Sequence, residues 1–227
     1  MLALKFIFLI IFSYFIGNIS NARILSHFKK SDITKQGSGN PGTMNMIRSF
    51  GLGVGILTLV LDMLKGVIPA VVGYFLLGAE GLSYVGIYTA GLAVVIGHMY
   101  PVCYKFKGGK SVACALGVFC VATPIWLVAV FFCSLLYLYF FDYGAVFSFI
   151  VITILTCSQA IAFSSSIPIC MLLLATYLII MFAHRQNIIR LLIGKENKVK
   201  FKKSIIKMLK KDIPKETKKE IKEKNIG

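Results

Sequence analysis

Long apolar runs separated by short polar blocks set the plan of this chain. Leu2–Ile19, Leu52–Leu77 and the run from Ser83 to about Val102 are each long enough to cross a hydrocarbon core as a helix. Val112–Phe141 and Ala145–Ala183 are each too long for one comfortable span. Pro124 divides the first, and Ser164-Ser165-Ser166-Ile167-Pro168 divides the second. Between the runs lie a first polar loop, Arg23–Phe50, a short uncharged-to-acidic connection at Gly78–Gly81, and a basic loop at Tyr104–Ser111. Lysine-rich loops stay on the cytoplasmic side, so the Lys105–Lys110 loop and the lysine-rich tail share a side and an even number of crossings separates them. Four crossings give seven helices and two give five. We adopt seven, with a short helix near Val112–Val121 as an incomplete span. The expected fold is thus an all-α integral membrane protein of about seven transmembrane helices, five being the alternative.

Composition agrees. The chain is 57% hydrophobic and only 15% charged, with a mean hydropathy of +0.80, which excludes an ordinary soluble domain. Leu2–Ile19 also fits a secretory leader, with Ser20-Asn21-Ala22 as a small-residue cleavage site. The run exceeds a usual leader core and ends in Gly17, Asn18 and Asn21, so we read it as a retained first helix. The six cysteines show no CxxC pair and no metal-ligand spacing, and read as small membrane-buried side chains.

A net charge of +16 suggests nucleic acid until its placement is considered. From His184 to Gly227 there are 15 Lys and Arg against 5 Asp and Glu, directly after an apolar run. Anionic lipid headgroups explain such a tail, and no stacking surface accompanies it, so nucleic acid is excluded as a partner. The chain accordingly divides into a polytopic membrane domain, residues 1–183, and a basic cytoplasmic tail, residues 184–227. Phe201, Ile205, Met208 and Leu209 recur at helical spacing and predict an amphipathic helix on the inner leaflet. Beyond Asp212 the expectation is a solvated charged tail.

Three polar blocks converge on one membrane face: Gln36–Arg48, His98–Lys110 and His184–Asn197. Gly37, Gly39 and Gly42 allow positive φ, and successive inward N–H groups would form a nest for an anion. Ser38, Asn40 and Asn45 add hydrogen-bonding groups and Arg48 a planar fork suited to phosphate. KFKGGK at Lys105–Lys110 is a second glycine-rich loop, with Lys110 following Gly108 and Gly109. Two such loops suggest two phosphorylated ligands, or one transferring to another. Nucleophile motifs are missing, so an activated substrate would supply the reactivity. Asp62 and Lys65 lie three residues apart within an apolar run and can pair. His27 and Asp32 match H-x4-D, the dyad of unrelated thioester-using acyltransferases, but no companion block follows; we read the match as chance.

Taken together, GSGNPGTMNMIR with the run to Lys65, GHMYPVCYKFKGGKSVAC and HRQNIIRLLIGKEN resemble the three-block pattern of a bacterial membrane family. That family is the glycerol-3-phosphate acyltransferases that use acyl phosphate, PlsY, and the likeness spans most of residues 13–198. It implies a seven-helix inner-membrane fold with a cytoplasmic active site. It also implies transfer of an acyl chain from acyl phosphate to the sn-1 hydroxyl of glycerol 3-phosphate, without acyl-enzyme, cofactor or metal. Anionic lipids are the further expected partners, and the expected state is a monomer. Carried over, Ser38, Arg48, Lys110, His184 and Asn187 are the expected catalytic residues. Gly37, Gly39, Asn40, Asn45, His98, Lys107, Gly108 and Gly109 are the expected substrate contacts.

Four places depart from the pattern: Met44 stands for threonine, Ser111 for glycine, Cys114 for threonine, and Asp142-Tyr143-Gly144-Ala145 for Arg-Tyr-Val-Ser. The alternatives are therefore a catalytically degenerate lipid- or phosphate-binding relative and, from another class, a small-anion transporter. The almost purely apolar later helices oppose the transporter.

Overall fold

A computed structural model describes residues 1–211, and the expected solvated tail beyond Asp212 lies outside the described residues. The chain forms α1 (Leu2–Asn18), α2 (Asn21–Phe28), α3 (Thr43–Phe50), α4 (Leu52–Leu76), α5 (Ser83–Met99), α6 (Val112–Ala122), α7 (Pro124–Phe141), α8 (Gly144–Ala162), α9 (Ile167–Ala183), α10 (Arg185–Leu192) and α11 (Phe201–Lys211). All seven apolar segments are helical. Five of them, counting α1 with α2 as one stretch, are long and apolar enough to cross a membrane. The bent pair α9 and α10 makes a sixth. The seventh, α6, has 11 residues, about 16 Å of helix, and reaches only partway through a bilayer.

The first polar loop contains regular structure of its own, folding into α2, α3 and a helical turn at Ile33–Lys35. Ala22 and Ser26 repeat at helical spacing and are buried, and Ala22 packs in a small core with Ile33 and Met46. Asp32 caps the Ile33 turn by accepting from the Thr34 N–H at 2.9 Å. Gly51, at φ 88°, then turns the chain from α3 into α4, a conformation that suits glycine.

The bundle is built around α5, against which α1, α4, α6 and α9 all pack, while α7, α8 and α9 form a second row. Close packing rests on small residues, because lipid supplies no hydrophobic drive for helices to associate. A Cβ on Gly66 would overlap the Cys114 carbonyl of α6, and one on Gly73 would overlap Gly86 of α5. A Cβ on Gly17 would overlap the Val94 carbonyl and one on Gly97 the Tyr14 carbonyl, so α1 packs closely on α5. Tyr14 adds a hydrogen bond to the Tyr100 carbonyl at 2.9 Å. Outward faces carry Phe8, Phe15, Ile68, Phe75, Phe132 and Phe140, all exposed, as lipid contact requires.

Gly66→Leu should force α4 from α6 and cost at least about 1–3 kcal/mol, the usual penalty of overpacking. Gly53→Leu on the same helix, where a side chain meets nothing within 4 Å, should change stability by less than about 1 kcal/mol. Thermal unfolding in detergent distinguishes the two, and equal effects would remove the close-packing account.

Candidate active site

One cavity of about 400 Å³ opens at the loop end of the bundle. Its two halves differ in chemistry. Leu52, Ile56 and Leu59 of α4 face Phe131, Leu135 and Leu138 of α7 across an apolar half. Ser38, Asn40, Arg48, Lys110, His184 and Asn187 line the polar half, where the three polar blocks meet.

The cations here have unusual partners. Arg48 donates to the carbonyls of Asn197 at 3.0 Å and Lys198 at 3.3 Å. The Lys110 ammonium donates to the Asn187 amide oxygen. Burial pushes the Lys110 pKa down to about 8, against the opposing pull of the Glu196 carboxylate. Glu196 is buried and held by Asn187 Nδ2 at 2.7 Å and Arg190 Nε at 2.9 Å. Asp62, at the cavity edge, is paired with Lys65 at 2.9 Å. Among the described lining residues, then, both acids have a cationic partner, whereas Arg48 and Lys110 touch only neutral oxygens. The polar half carries two cations whose charge nothing among the described residues neutralises directly.

The imidazoles have defined tautomers. His184 Nδ1 lies 2.9 Å from the Ile180 carbonyl, so it must carry hydrogen, leaving Nε2 as an acceptor. His98 Nδ1 lies 2.9 Å from the Lys65 ammonium, which only donates, so the hydrogen of neutral His98 sits on Nε2.

The glycine loops work differently from the nests expected of them. Ser38 N–H donates to Asn45 Oδ1 at 2.9 Å, Gly39 N–H to the Gln36 carbonyl at 2.8 Å, and Gly42 N–H to the Asn40 carbonyl at 3.0 Å. Asn45 in turn donates to the Gln36 and Ile33 carbonyls. Gly37, at φ 53°, and Gly39, at φ 70°, wrap the loop around this one buried amide. Asn45 also lines the cavity; Gly37 and Gly39 do not.

In the second loop Gly108 and Gly109 donate to the carbonyls of Met99 at 3.0 Å and His98 at 3.1 Å. Their N–H groups are committed to the end of α5 and cannot cradle a phosphate. A Cβ at either would overlap His98, so these glycines exist for close approach, which carries Lys110 into the cavity. Lys107 stays outside; its carbonyl accepts from Arg23 at 2.7 Å.

Several lining groups escaped the sequence reading. Thr43 Oγ1 and Ser111 Oγ are buried at the starts of α3 and α6 without a hydrogen-bond partner. Ser111 takes a left-handed φ of 65°, a backbone conformation that favours the glycine of the pattern this chain resembles. Val112 and Ala113 follow it along the cavity wall, where first-turn N–H groups lack intrahelical partners. Glu196 and Arg190 lie in the third polar block but were not singled out there. His27 and Asp32 are both exposed, lie outside the cavity and make no contact with each other, as the chance reading of that motif requires.

Asn45→Ala should leave the Ser38 N–H and two carbonyls without their partner, costing about 1–3 kcal/mol. We expect a lower unfolding midpoint and faster proteolysis between Gln36 and Gly42. An unchanged proteolysis pattern would show that the loop does not depend on this amide.

Comparison with known proteins identifies the family. The family described as glycerol-3-phosphate acyltransferase matches residues 7–194. The glycerol-3-phosphate acyltransferase of Aquifex aeolicus is 38% identical over 197 residues, covering 86% of this chain and all of the relative. That of Finegoldia magna is 34% identical over 205 residues, covering 86% and 98%. Two crystal structures of PlsY, an integral membrane glycerol 3-phosphate acyltransferase, share the fold at 32% identity, covering 85% of this chain and 94% of theirs. The glycerol 3-phosphate form superposes with a TM-score of 0.76 and the lysophosphatidic acid form with 0.74. With its three polar blocks gathered on one cavity at the end of a matching bundle, this chain belongs to the glycerol-3-phosphate acyltransferase family.

Proposed function

We propose that the protein transfers an acyl chain from acyl phosphate to the sn-1 hydroxyl of glycerol 3-phosphate, giving lysophosphatidic acid and phosphate. The observation that carries this reading is the pair of directly unneutralised cations, Arg48 and Lys110, at the polar end of a cavity whose other half is apolar. Both substrates are phosphate monoanions or dianions at neutral pH, and one of them carries a long hydrocarbon chain. The phosphates would lie against Arg48, Lys110 and the unpartnered Ser111 hydroxyl, and the acyl chain between α4 and α7.

In the reaction the sn-1 oxygen attacks the acyl carbon, the carbon–oxygen bond to phosphate breaks, and phosphate leaves with the electron pair. The hydroxyl proton passes to an oxygen of the departing phosphate, so no enzyme nucleophile is needed. Arg48 and Lys110 hold the two anions close together, the main obstacle to bringing them within reach. Ser38 and Asn187 supply orienting hydrogen bonds, and His184 Nε2 accepts from the glycerol hydroxyls. The family relationship supports an active enzyme over a degenerate relative, and the retained cations agree with it.

We further place the loop end of the bundle on the cytoplasmic side of the bacterial inner membrane. Cysteines introduced at Lys30, Lys107 and Lys203 should then resist membrane-impermeant label added outside the cell. Labelling at any of them in sealed cells would reverse the orientation.

Purified protein, palmitoyl phosphate and labelled glycerol 3-phosphate, scored for lysophosphatidic acid, test the reaction directly. A charge-assisted hydrogen bond contributes about 1.5–3 kcal/mol, so Lys110→Ala should lose at least about tenfold in kcat/KM. Lys105→Ala, exposed and outside the cavity, should lose much less. The depressed Lys110 pKa sets the sign of the pH effect. Its ammonium is intact below about 8 and is lost above, so apparent affinity for glycerol 3-phosphate should fall as pH rises through that value. Lys110→Arg keeps its charge and should flatten the fall. Equal, mild effects at Lys105 and Lys110 would remove Lys110 from the site.

A further inference from the structure

The family match ends at residue 194, yet the cavity does not. Phe201 and Ile205, one turn apart on α11, both line it. Among the described residues α4 and α7 make no extended contact with each other, and α11 packs against both. It therefore bridges the two walls of the apolar half where they part at the loop end.

The bridge is tied down by one residue. The Asp142 carbonyl accepts from Val199 N–H at 2.9 Å, and its carboxylate accepts from Phe201 N–H at the start of the helix. Lys198 lies 5.3 Å over the Tyr143 ring and Lys202 5.5 Å over that of Tyr139, each a modest cation–π attachment to the same corner. Asp142 is one of the positions where the chain departs from the pattern it otherwise resembles.

We infer that α11 is a strap that keeps water from the activated acyl group, and that Phe201 and Ile205 bias its fate toward glycerol 3-phosphate. The inference rests on the acyl transfer proposed above. An acyl phosphate is an anhydride, and water can attack the same carbon as the sn-1 hydroxyl, breaking the same bond to give fatty acid and phosphate. Excluding water from such a centre is a recognised function of closing elements. Two apolar side chains placed over the junction of the apolar and polar halves are suited to it.

The test uses the full chain in detergent or nanodiscs with radiolabelled palmitoyl phosphate, counting palmitate and lysophosphatidic acid from the same reaction. The palmitate-to-lysophosphatidate ratio should rise at least about fivefold in the Phe201→Ala/Ile205→Ala double variant. Truncation after Lys200 and Asp142→Ala should move it the same way, so the test does not hang on one variant folding. Phe201→Leu/Ile205→Leu should restore coupling, and Lys203→Ala, on the exposed side of α11, should leave the ratio at the wild-type value. Palmitate release without glycerol 3-phosphate is scored alongside and should rise in the same variants. A ratio unchanged in the double variant and the truncation, whether or not turnover falls, would overturn the strap. Wild-type protein that makes no lysophosphatidic acid would instead defeat the proposed reaction, while palmitate release still reports on the strap.

Discussion

Everything at the loop end of this bundle depends on a charge pair inside the membrane. Asp62 and Lys65 lie one helical turn apart on α4, both buried, 2.9 Å from each other. Neither could be left there alone, since removing one partner of a buried pair commonly costs about 3–5 kcal/mol. The pair is also a hub. Asn21 of α2 donates to Asp62 at 2.9 Å, Lys65 reaches the Ile19 carbonyl, and Lys65 lies 2.9 Å from His98 Nδ1 at the end of α5. Two segments remote in sequence, the α1–α2 junction and the end of α5, are thereby pinned to one point on α4. His98 passes the constraint on, because its carbonyl receives Gly109 and its ring leaves no room for a side chain there. Lys110 owes its place in the cavity to a chain of contacts that begins at Asp62.

The departures from the resembled pattern have definite surroundings in the fold. Ser111 holds a left-handed backbone without glycine, a strain of the kind that surrounding structure can sustain. Gly144 and Ala145 line the cavity beside Met44, and a Cβ on Gly144 would press against Met44 and Val199. A small residue at 144 and a long flexible one at 44 are thus complementary, and they fill the corner with apolar atoms.

Much of this was legible in the sequence because membranes simplify the code. Hydropathy located the seven apolar helices, and Pro124 and the Ser164–Pro168 break divided the two long runs near where the helices end. Polar blocks that cannot sit in lipid had to gather at an end, and the cavity lies where they do. What stayed hidden was the destination of individual N–H groups. Glycine-rich loops looked like anion nests, but whether their donors face a ligand or a neighbouring carbonyl depends on tertiary contacts with Asn45 and His98. Helices α2 and α3 were obscured for a related reason: their amphipathic faces are eight residues long, too short to show a period. Glu196 and Asp142 were unremarkable as single acids, and only the folded arrangement reveals one bracing Asn187 and Arg190 and the other holding the start of α11.

The order in which the chain is made gives the arrangement of the cavity wall a further meaning. The stretch with Asn187, Arg190 and Glu196 is synthesised after Ser38, Asn40, Arg48 and Lys110, and folding proceeds from the N-terminus during translation. The bundle that holds Arg48 and Lys110 can insert and pack while that stretch is still within the ribosome. Until it emerges, Lys110 lacks Asn187 and Arg48 lacks the carbonyls of Asn197 and Lys198. A nascent chain therefore presents an open, basic groove at the loop end. The groove takes its finished form only once the segment from Asn187 to Lys198 has been made and has folded back across it.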